Sequence, residues 1–447
     1  MYNPEIERPC HQHPHFHSGS LSIVTSTATS TADDGLLEGF TVIDFTRVLA
    51  GPYCTRMLAD LGARVIKIER PGEGDEIRYT LLQLDSERID QSSYFARLNV
   101  GKKSIAVDLA HPQSREVVLD LVRSADVVVE NFSPGVMKRY GFDAQTLRAE
   151  RPELVYCSIS GFGQTGPLSS MQAYAHLINA ISGMMELERG GQADPKASNL
   201  QAADVLAGTQ AFGAISAALL RRARTGVGAT LDVSMLECLI AADDISFNSL
   251  LNGGQVERKP RAGMIVHAIG DRHVAMQAAG APHMWARLLK MIGKPELEAD
   301  PRFATIQARR DNWIELQQIY KDWLDTFETV DDAVAALAAA RVPHAPMLMP
   351  EEVIEHPHLQ SRQAFPETDH LTAGRVRVTA TPFHVDGKPT HPQARAPHRI
   401  GEHTHQVLAD YLGYTEDKIA SLQSSGAIDI PDEVPRKDRG KSKPAAQ

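Results

Sequence analysis

Residues 40–45 read Phe-Thr-Val-Ile-Asp-Phe (FTVIDF), a β-branched and aromatic run of strand length, and the segments on its C-terminal side decide the fold. Ala50-Gly51-Pro52 turns the chain, residues 53–61 carry helical apolar spacing, and Ala63–Ile68 (ARVIKI) returns as a second strand. The alternation continues outward. Residues 104–109 predict a strand, 112–124 a helix, 127–130 a strand and 154–159 another; 202–224 predict a helix, 229–234 a strand and 235–251 a helix. Strands that alternate with helices imply right-handed βαβ crossovers and a parallel sheet covered on both faces.

After Leu251 the texture changes. A Gly- and cation-rich link at 252–263 precedes a short strand at 273–278 and helices near 284–292, 311–327 and 330–340, a second and smaller domain. Residues 343–348 and a strand-like 375–378 bring the chain back toward the first domain. The division expected is a tail at 1–37, a large domain at 38–251, a small α+β domain at 252–350, a return segment at 351–428 and a basic tail at 429–447.

Composition narrows the function. With 447 residues, 43% hydrophobic and 23% charged, the chain has ordinary globular proportions. Lys+Arg 46 against Asp+Glu 56 leaves a net charge of −10, a poor basis for general nucleic-acid binding, which rests on clustered cations. No run reads as the roughly 18 apolar residues of a membrane span. Cys10, Cys54, Cys157 and Cys238 are far apart without a C-x-x-C spacing, which argues against a disulfide framework and for a reducing cytoplasm. Near the start, Cys10, His11, His13, His15 and His17 alternate as metal ligands on an extended strand would, but match no established zinc spacing, so no metal site is expected.

Chemistry is sought where strands end, since open α/β sheets dock ligands there. The first junction, Thr46-Arg47-Val48-Leu49-Ala50-Gly51-Pro52, is not a G-x-G-x-x-G dinucleotide fingerprint. At the second, Asn131-Phe132-Ser133-Pro134-Gly135, Ser133 reads as the cap of a helix opening at Pro134, with free N–H groups toward an anion. Arg70, Lys103 and Arg139 follow strands or lie at helix ends, where phosphates can be met. Asp204 opens a long Ala-rich helix, either as an ordinary N-terminal acid or as a carboxylate nucleophile. Asp44 and Asp108 read as turn-closing acids, and His176 as a packed residue in the apolar stretch 174–185.

Several longer stretches carry a resemblance. The run GFTVIDFTRVLAGPYCTRMLADLGARVIKIERPGEGDEIR from Gly39, LNVGKKSIAVDL (98–109), VVVENFSPGVMKRYGF (127–142), SISGFGQTGP (158–167), ARTGVGATLDVSMLE (223–237), DPRFATIQARRDN (300–312), RVPHAPM (341–347) and HRIGEHTHQVLADYLGY (398–414) resemble the class III CoA-transferases, the formyl-CoA transferase and carnitine CoA-transferase type. The resemblance spans about Gly39 to Ile428 and implies a Rossmann-like large domain, a smaller domain and an interlocked homodimer. It implies coenzyme A as co-substrate, no permanently bound cofactor, and transfer of CoA from an acyl-CoA, with succinyl-CoA as the expected donor, to a small carboxylic acid. It assigns the nucleophile to Asp204, through an aspartyl-CoA thioester, and CoA contacts to the Thr46–Ala50 turn (Arg47, Leu49, Ala50), Arg70, Val107, Asn131, Phe132 and Arg139.

Three departures bear on substrate. Leu49 stands where formyl-CoA transferases carry Gln, Ala175 replaces an acid that follows Tyr174 in most members, and the segment between Gly263 and Gly270 is short. The same fold contains α-methylacyl-CoA racemases, whose catalytic His and Asp registers fall here on Tyr174 and Ala175, with His176 expected on another face. Isomerisation and a retired CoA-binding protein are therefore the alternatives to transfer.

Overall fold

The computed structural model of the chain describes residues 35–189, 194–195, 198–243, 246–255, 263–278, 282–392 and 394–432. The Cys10–His17 tract and the basic stretch 436–443 lie outside them.

Six parallel strands form the main sheet: β1 (Thr41–Asp44), β2 (Arg64–Glu69), β3 (Lys102–Val107), β4 (Val127–Glu130), β5 (Val155–Ser160) and β6 (Ala229–Ser234), in the spatial order 3-2-1-4-5-6. Val42 pairs with both Val65 and Val127, so β1 is central and the strand order reverses between β1 and β4. That reversal is the topological switch point of a Rossmann-type sheet, where the strand ends leave a crevice.

Side chains alternate across the sheet and both faces are buried, which is why the strands read as continuous apolar runs. Val42, Val65, Val127, Val129 and Cys157 pack on one face against α1 (Ala50–Asp60) and a long helix at Ala202–Thr225. Ile43, Ile66, Ile105, Val128 and Tyr156 pack on the other, against Val117, Leu121 and Leu147. The intervening helices are α2 (Ser93–Asn99), α3 (Ser114–Ser124), α4 (Val136–Tyr140), α5 (Ala144–Glu150), α6 (Ala175–Ile181) and α7 (Met184–Arg189); the long helix is α8 and Met235–Ala241 is α9.

A second sheet holds β7 (Met264–Ile269), β8 (Arg272–Gln277) and β9 (His344–Pro346), antiparallel throughout. Its core gathers Trp285, Leu288, Phe303, Trp313, Tyr320 and Leu337 from the adjacent helices. Residues 343–348, expected to lead back to the main sheet, belong instead to this one. Two hairpins come next, β10 (Glu367–His370) with β11 (Gly374–Arg377) and β12 (His384–Val385) with β13 (Lys388–Pro389). The chain then returns: the Ala106 N–H donates to Thr404 Oγ1 at 2.9 Å, and β14 (Ile428–Asp429) adds antiparallel to the free edge of β3.

Several boundaries differ from expectation for local reasons. The helix expected over 235–251 is two, because the Asp243 carboxylate accepts the Phe247 N–H at 2.9 Å and starts a new helix. The one expected over 311–327 breaks at Asn312, whose amide donates to Ala308 O at 2.9 Å and Arg302 O at 3.1 Å. Neither tail boundary holds at its inner end: the Leu37 N–H donates to Leu61 O at 2.8 Å, and Asp429 pairs with Ala106. The 24-residue α8 is long and apolar enough to cross a membrane, contrary to the expectation that no run is. In this fold Ala203, Ala207, Ala211, Ile215 and Leu219 put one stripe of it in the core of the main sheet.

Candidate active site

The site is built on the two turns at the switch point. β1 ends at Asp44, fully buried, whose carboxylate accepts Thr46 N at 2.9 Å and Thr55 Oγ1 at 2.7 Å and meets Lys102 Nζ at 3.0 Å. It closes the turn, as expected. The turn then passes through Val48, whose φ of +67° places a β-branched residue in the left-handed region. Such a conformation costs ~1–3 kcal/mol and persists only where its surroundings hold it.

The surroundings do hold it. Arg47 N donates to Asn131 Oδ1 at 2.9 Å and Asn131 Nδ2 donates back to Arg47 O at 2.8 Å, which locks the first turn to the second. Asn131, expected to touch CoA, thus spends its side chain on the protein backbone. Val48 N donates to Asp75 Oδ1 at 3.1 Å, and Lys67 Nζ donates to Thr46 O at 2.6 Å.

α1 begins directly after this turn. Its cap position, Leu49, supplies no side-chain oxygen, so the first-turn N–H groups are open to an acceptor. Asp204 faces this helix start: its side chain lines the same cavity as Ala50, and the Ala50 N–H favours the ionised form of its carboxyl. Asp204 is the third residue of α8, and its own N–H also favours the ionised form, so the carboxylate lies near two helix N-termini. One turn further on, a Cβ at Gly208 would stand 2.5 Å from Ala50 O. Only glycine lets α8 approach α1 this closely.

Burial pushes the Asp204 carboxyl up to about 6, against the lowering effect of the two backbone donors and of nearby His176. Desolvation therefore outweighs both helix ends. At pH 7 the group is still mostly ionised, and more basic than an ordinary aspartate. Glu130, at the end of β4, is also pushed up by burial, to about 7, while accepting the Phe132 N–H at 2.9 Å.

Two cavities meet here. One, of about 400 Å³, is lined by Asp204, Ala50, Val48, Asn131, Gly161 and Tyr174 among others. The other, of about 220 Å³, is lined by Arg70, Lys67, Asp75, Val107 and Asp108. Arg47, Phe132 and Tyr140 line both and join them. Of the expected CoA contacts, Arg47, Ala50, Arg70, Val107, Asn131 and Phe132 are thus brought together. Leu49 is not: it is buried with Ile77, Phe95 and Leu98. Arg139 is exposed outside both linings, with its guanidinium 5.6 Å from the centre of the Tyr140 ring. Lys103 is also elsewhere, bonded to Gln406.

Two readings of the turns need correction. Ser133 caps no helix; α4 begins at Val136 after Gly135 in the left-handed conformation, and Ser133 only accepts the Val136 N–H through its carbonyl at 3.1 Å. His176 is not on another face from Tyr174. Tyr174 is the extended cap residue of α6, outside the helical count, and the two rings stack 6.2 Å apart at 6°. Sequence reading missed Lys67, Asp75 and Tyr140. The signal for the first was a lysine inside ARVIKI, a run otherwise apolar, which a strand buried on both faces tolerates only with a partner. Among the described residues, no group of His, Cys, Asp and Glu could hold a metal ion.

Comparison with known proteins accords with this geometry. Residues 37–404 match CoA-transferase family III. The human succinyl-CoA:glutarate CoA-transferase is 32% identical over 399 residues, covering 88% of this chain and 90% of the relative. The succinate–glutarate CoA-transferase of Agrobacterium fabrum is 33% identical over 391 residues, covering 84% and 95%. Among solved structures, a CAIB/BAIF family protein from Brucella suis superposes with a TM-score of 0.73 at 31% identity, covering 84% of this chain and 99% of that one. An α/β chain with this strand order and this extent of match is an enzyme, and it belongs to CoA-transferase family III.

Proposed function

We propose that the protein moves CoA from succinyl-CoA to a small organic acid of the dicarboxylate class, through an aspartyl-CoA thioester on Asp204. The observation that carries this reading is the Asp204 carboxylate, half-buried in the 400 Å³ cavity at the N-terminus of α1. An Asp204 oxygen attacks the donor's thioester carbonyl carbon, the C–S bond breaks, and CoA leaves as thiolate while a mixed anhydride forms. The thiolate then attacks the aspartyl carbonyl carbon, releasing the donor acid as a carboxylate. The acceptor carboxylate repeats these steps in reverse. The thioester's energy is conserved because water is kept out, and two easier steps replace one hard exchange.

The smaller cavity, with Arg70 at its rim and Val107 in its wall, takes the nucleotide end of CoA in this reading. Two relatives whose names pair succinate or succinyl-CoA with glutarate support the donor and the acceptor class. The domain division at 38–251, 252–350 and 351–428 belongs to the same reading. So does a homodimer: Leu81, Leu82 and Ile89 are each more than two-thirds exposed, which a second copy would cover. Buried free Cys54, Cys157 and Cys238 support a reducing, cytoplasmic setting.

Incubation with succinyl-CoA is expected to give a CoA adduct on Asp204, seen by mass spectrometry, which Asp204→Ala abolishes; an active Asp204→Ala variant refutes the mechanism. Because His176 lies close enough to Asp204 to influence its charge, α-proton exchange is the second reading. Incubating an acyl-CoA in D₂O separates the two: α-deuteration without CoA transfer favours an isomerase. CoA binding without either reaction marks a retired site.

A further inference from the structure

The Thr46–Ala50 turn is held by more buried charge than a strand-to-helix junction requires. Asp75 Oδ1 accepts the Val48 N–H at 3.1 Å, and its other oxygen lies 3.0 Å from Lys67 Nζ. Lys67 Nζ in turn donates to Thr46 O at 2.6 Å. Both side chains are 1% exposed. Asp75 also caps the short helical turn Glu76–Tyr79 by accepting the Ile77 N–H at 3.3 Å, but a cap needs neither a buried lysine nor a bond to Val48. What this pair adds is a closed chain of contacts from β2 through Asp75 to the one residue of the turn with a positive φ, two residues before Ala50, which shares the larger cavity's wall with Asp204 and is where α8 crosses α1.

The pair also stands between the cavities. Lys67, Asp75 and Thr46 line the smaller one, while Val48, Ala50 and Asp204 line the larger. A ligand in the smaller cavity would rest against the pair, which is already dry, and brace the wall that holds the turn. Binding energy gained there would then be expressed as geometry at the reacting carboxylate.

We infer that Asp75 and Lys67 are positioning residues for the transfer step: together they hold Val48 in its left-handed conformation and so seat the start of α1, at Ala50, against Asp204. This rests on Asp204 being the nucleophile. A glycine adopts a positive φ without help, so the need for Asp75 should shrink when Val48 is replaced by one.

The test is a double-mutant cycle on the full chain: wild type, Asp75→Asn, Val48→Gly and the double variant. The rate of CoA adduct formation on Asp204 at saturating succinyl-CoA is measured beside the Kd for CoA. Asp75→Asn is expected to slow adduct formation at least tenfold with the Kd changed less than threefold. The same substitution in the Val48→Gly background is expected to slow it less than threefold. Equal losses in the two backgrounds, or no loss in either, overturn the inference. If Asp75→Asn fails to fold but the double variant folds, the inference stands; if neither folds, Asp75 is an element of the fold alone and the inference fails. Should wild type form no adduct with any acyl-CoA, it is the proposed function that fails. The inference is then decided by hydrogen–deuterium exchange over residues 46–50. Faster exchange on Asp75→Asn in the Val48 background only supports it, and unchanged exchange overturns it.

Discussion

Replacing Asp204 should make the protein more stable, by an amount that depends on pH. The Asp204 carboxyl is pushed from its ordinary 3.8 up to about 6, chiefly by burial. Because the folded-state pKa lies above the unfolded one, the folded protein holds the proton more tightly, and ionisation costs stability. That cost is small below about pH 4, grows between about pH 4 and 6, and is complete above. A shift of about two units corresponds to ~3 kcal/mol. Asp204→Asn removes the charge while keeping the side chain's size and one carbonyl oxygen. Denaturant unfolding at pH 8 should therefore show the variant more stable by ~2–3 kcal/mol, and at pH 4 by less than ~1 kcal/mol. The same curve governs activity: adduct formation in wild type should fall as pH drops through about 6, with the slope of a single proton. No gain at pH 8, or an equal gain at both pH values, would show that Asp204 is not held ionised against burial and would refute the reasoning.

Three further outcomes are expected. Gly208→Ala should destabilise by ~1–3 kcal/mol and slow adduct formation, because the added carbon meets Ala50 O at 2.5 Å and must push α8 and Asp204 off α1; thermal unfolding and adduct kinetics check it. Lys102→Met leaves the fully buried Asp44 without its main counter-charge and should cost ~3–5 kcal/mol, most of it recovered on adding Asp44→Asn, as denaturant midpoints would show. His176→Gln removes the ring stacked on Tyr174, a wall residue of the larger cavity, and should lower kcat/KM for the acceptor about two- to tenfold, the size expected for one lost ring contact.

The share of this that was legible in the sequence depends on which forces act locally. FTVIDF and ARVIKI declare strands because a parallel strand buried on both faces must be apolar throughout, and alternation with helices then implies the crossover architecture. The order 3-2-1-4-5-6 is a matter of pairing between distant segments, and no period in the chain encodes it. β3 was expected two residues late because Lys102 and Lys103 look like surface residues; Lys102 is instead the partner that keeps Asp44 ionised under the first turn. The second turn was misread because Ser-Pro is an ordinary helix opening, and nothing short-range reveals that Gly135 will take the left-handed conformation and delay the helix to Val136. Position alone makes Asp204 one of many helix-opening acids, and only the resemblance singles it out. Its structural distinction is long-range, the shared cavity wall with Ala50, some 150 residues earlier in the chain, and the close crossing that Gly208 permits.

The same contrast explains why a chain of net charge −10 can hold a polyanionic substrate. Net charge sums over the surface, whereas binding depends on which charges remain unneutralised at one crevice. Within the smaller cavity Lys67 is committed to Asp75, while Arg70 has only an exposed pairing with Glu73, which solvent screens. Arg70 can exchange that partner for a phosphate at little cost; Lys67 cannot leave Asp75 without stranding a buried carboxylate. One of the two cations is therefore free to meet a ligand while the other is tied to the turn, and that division is not visible in a count of charged residues.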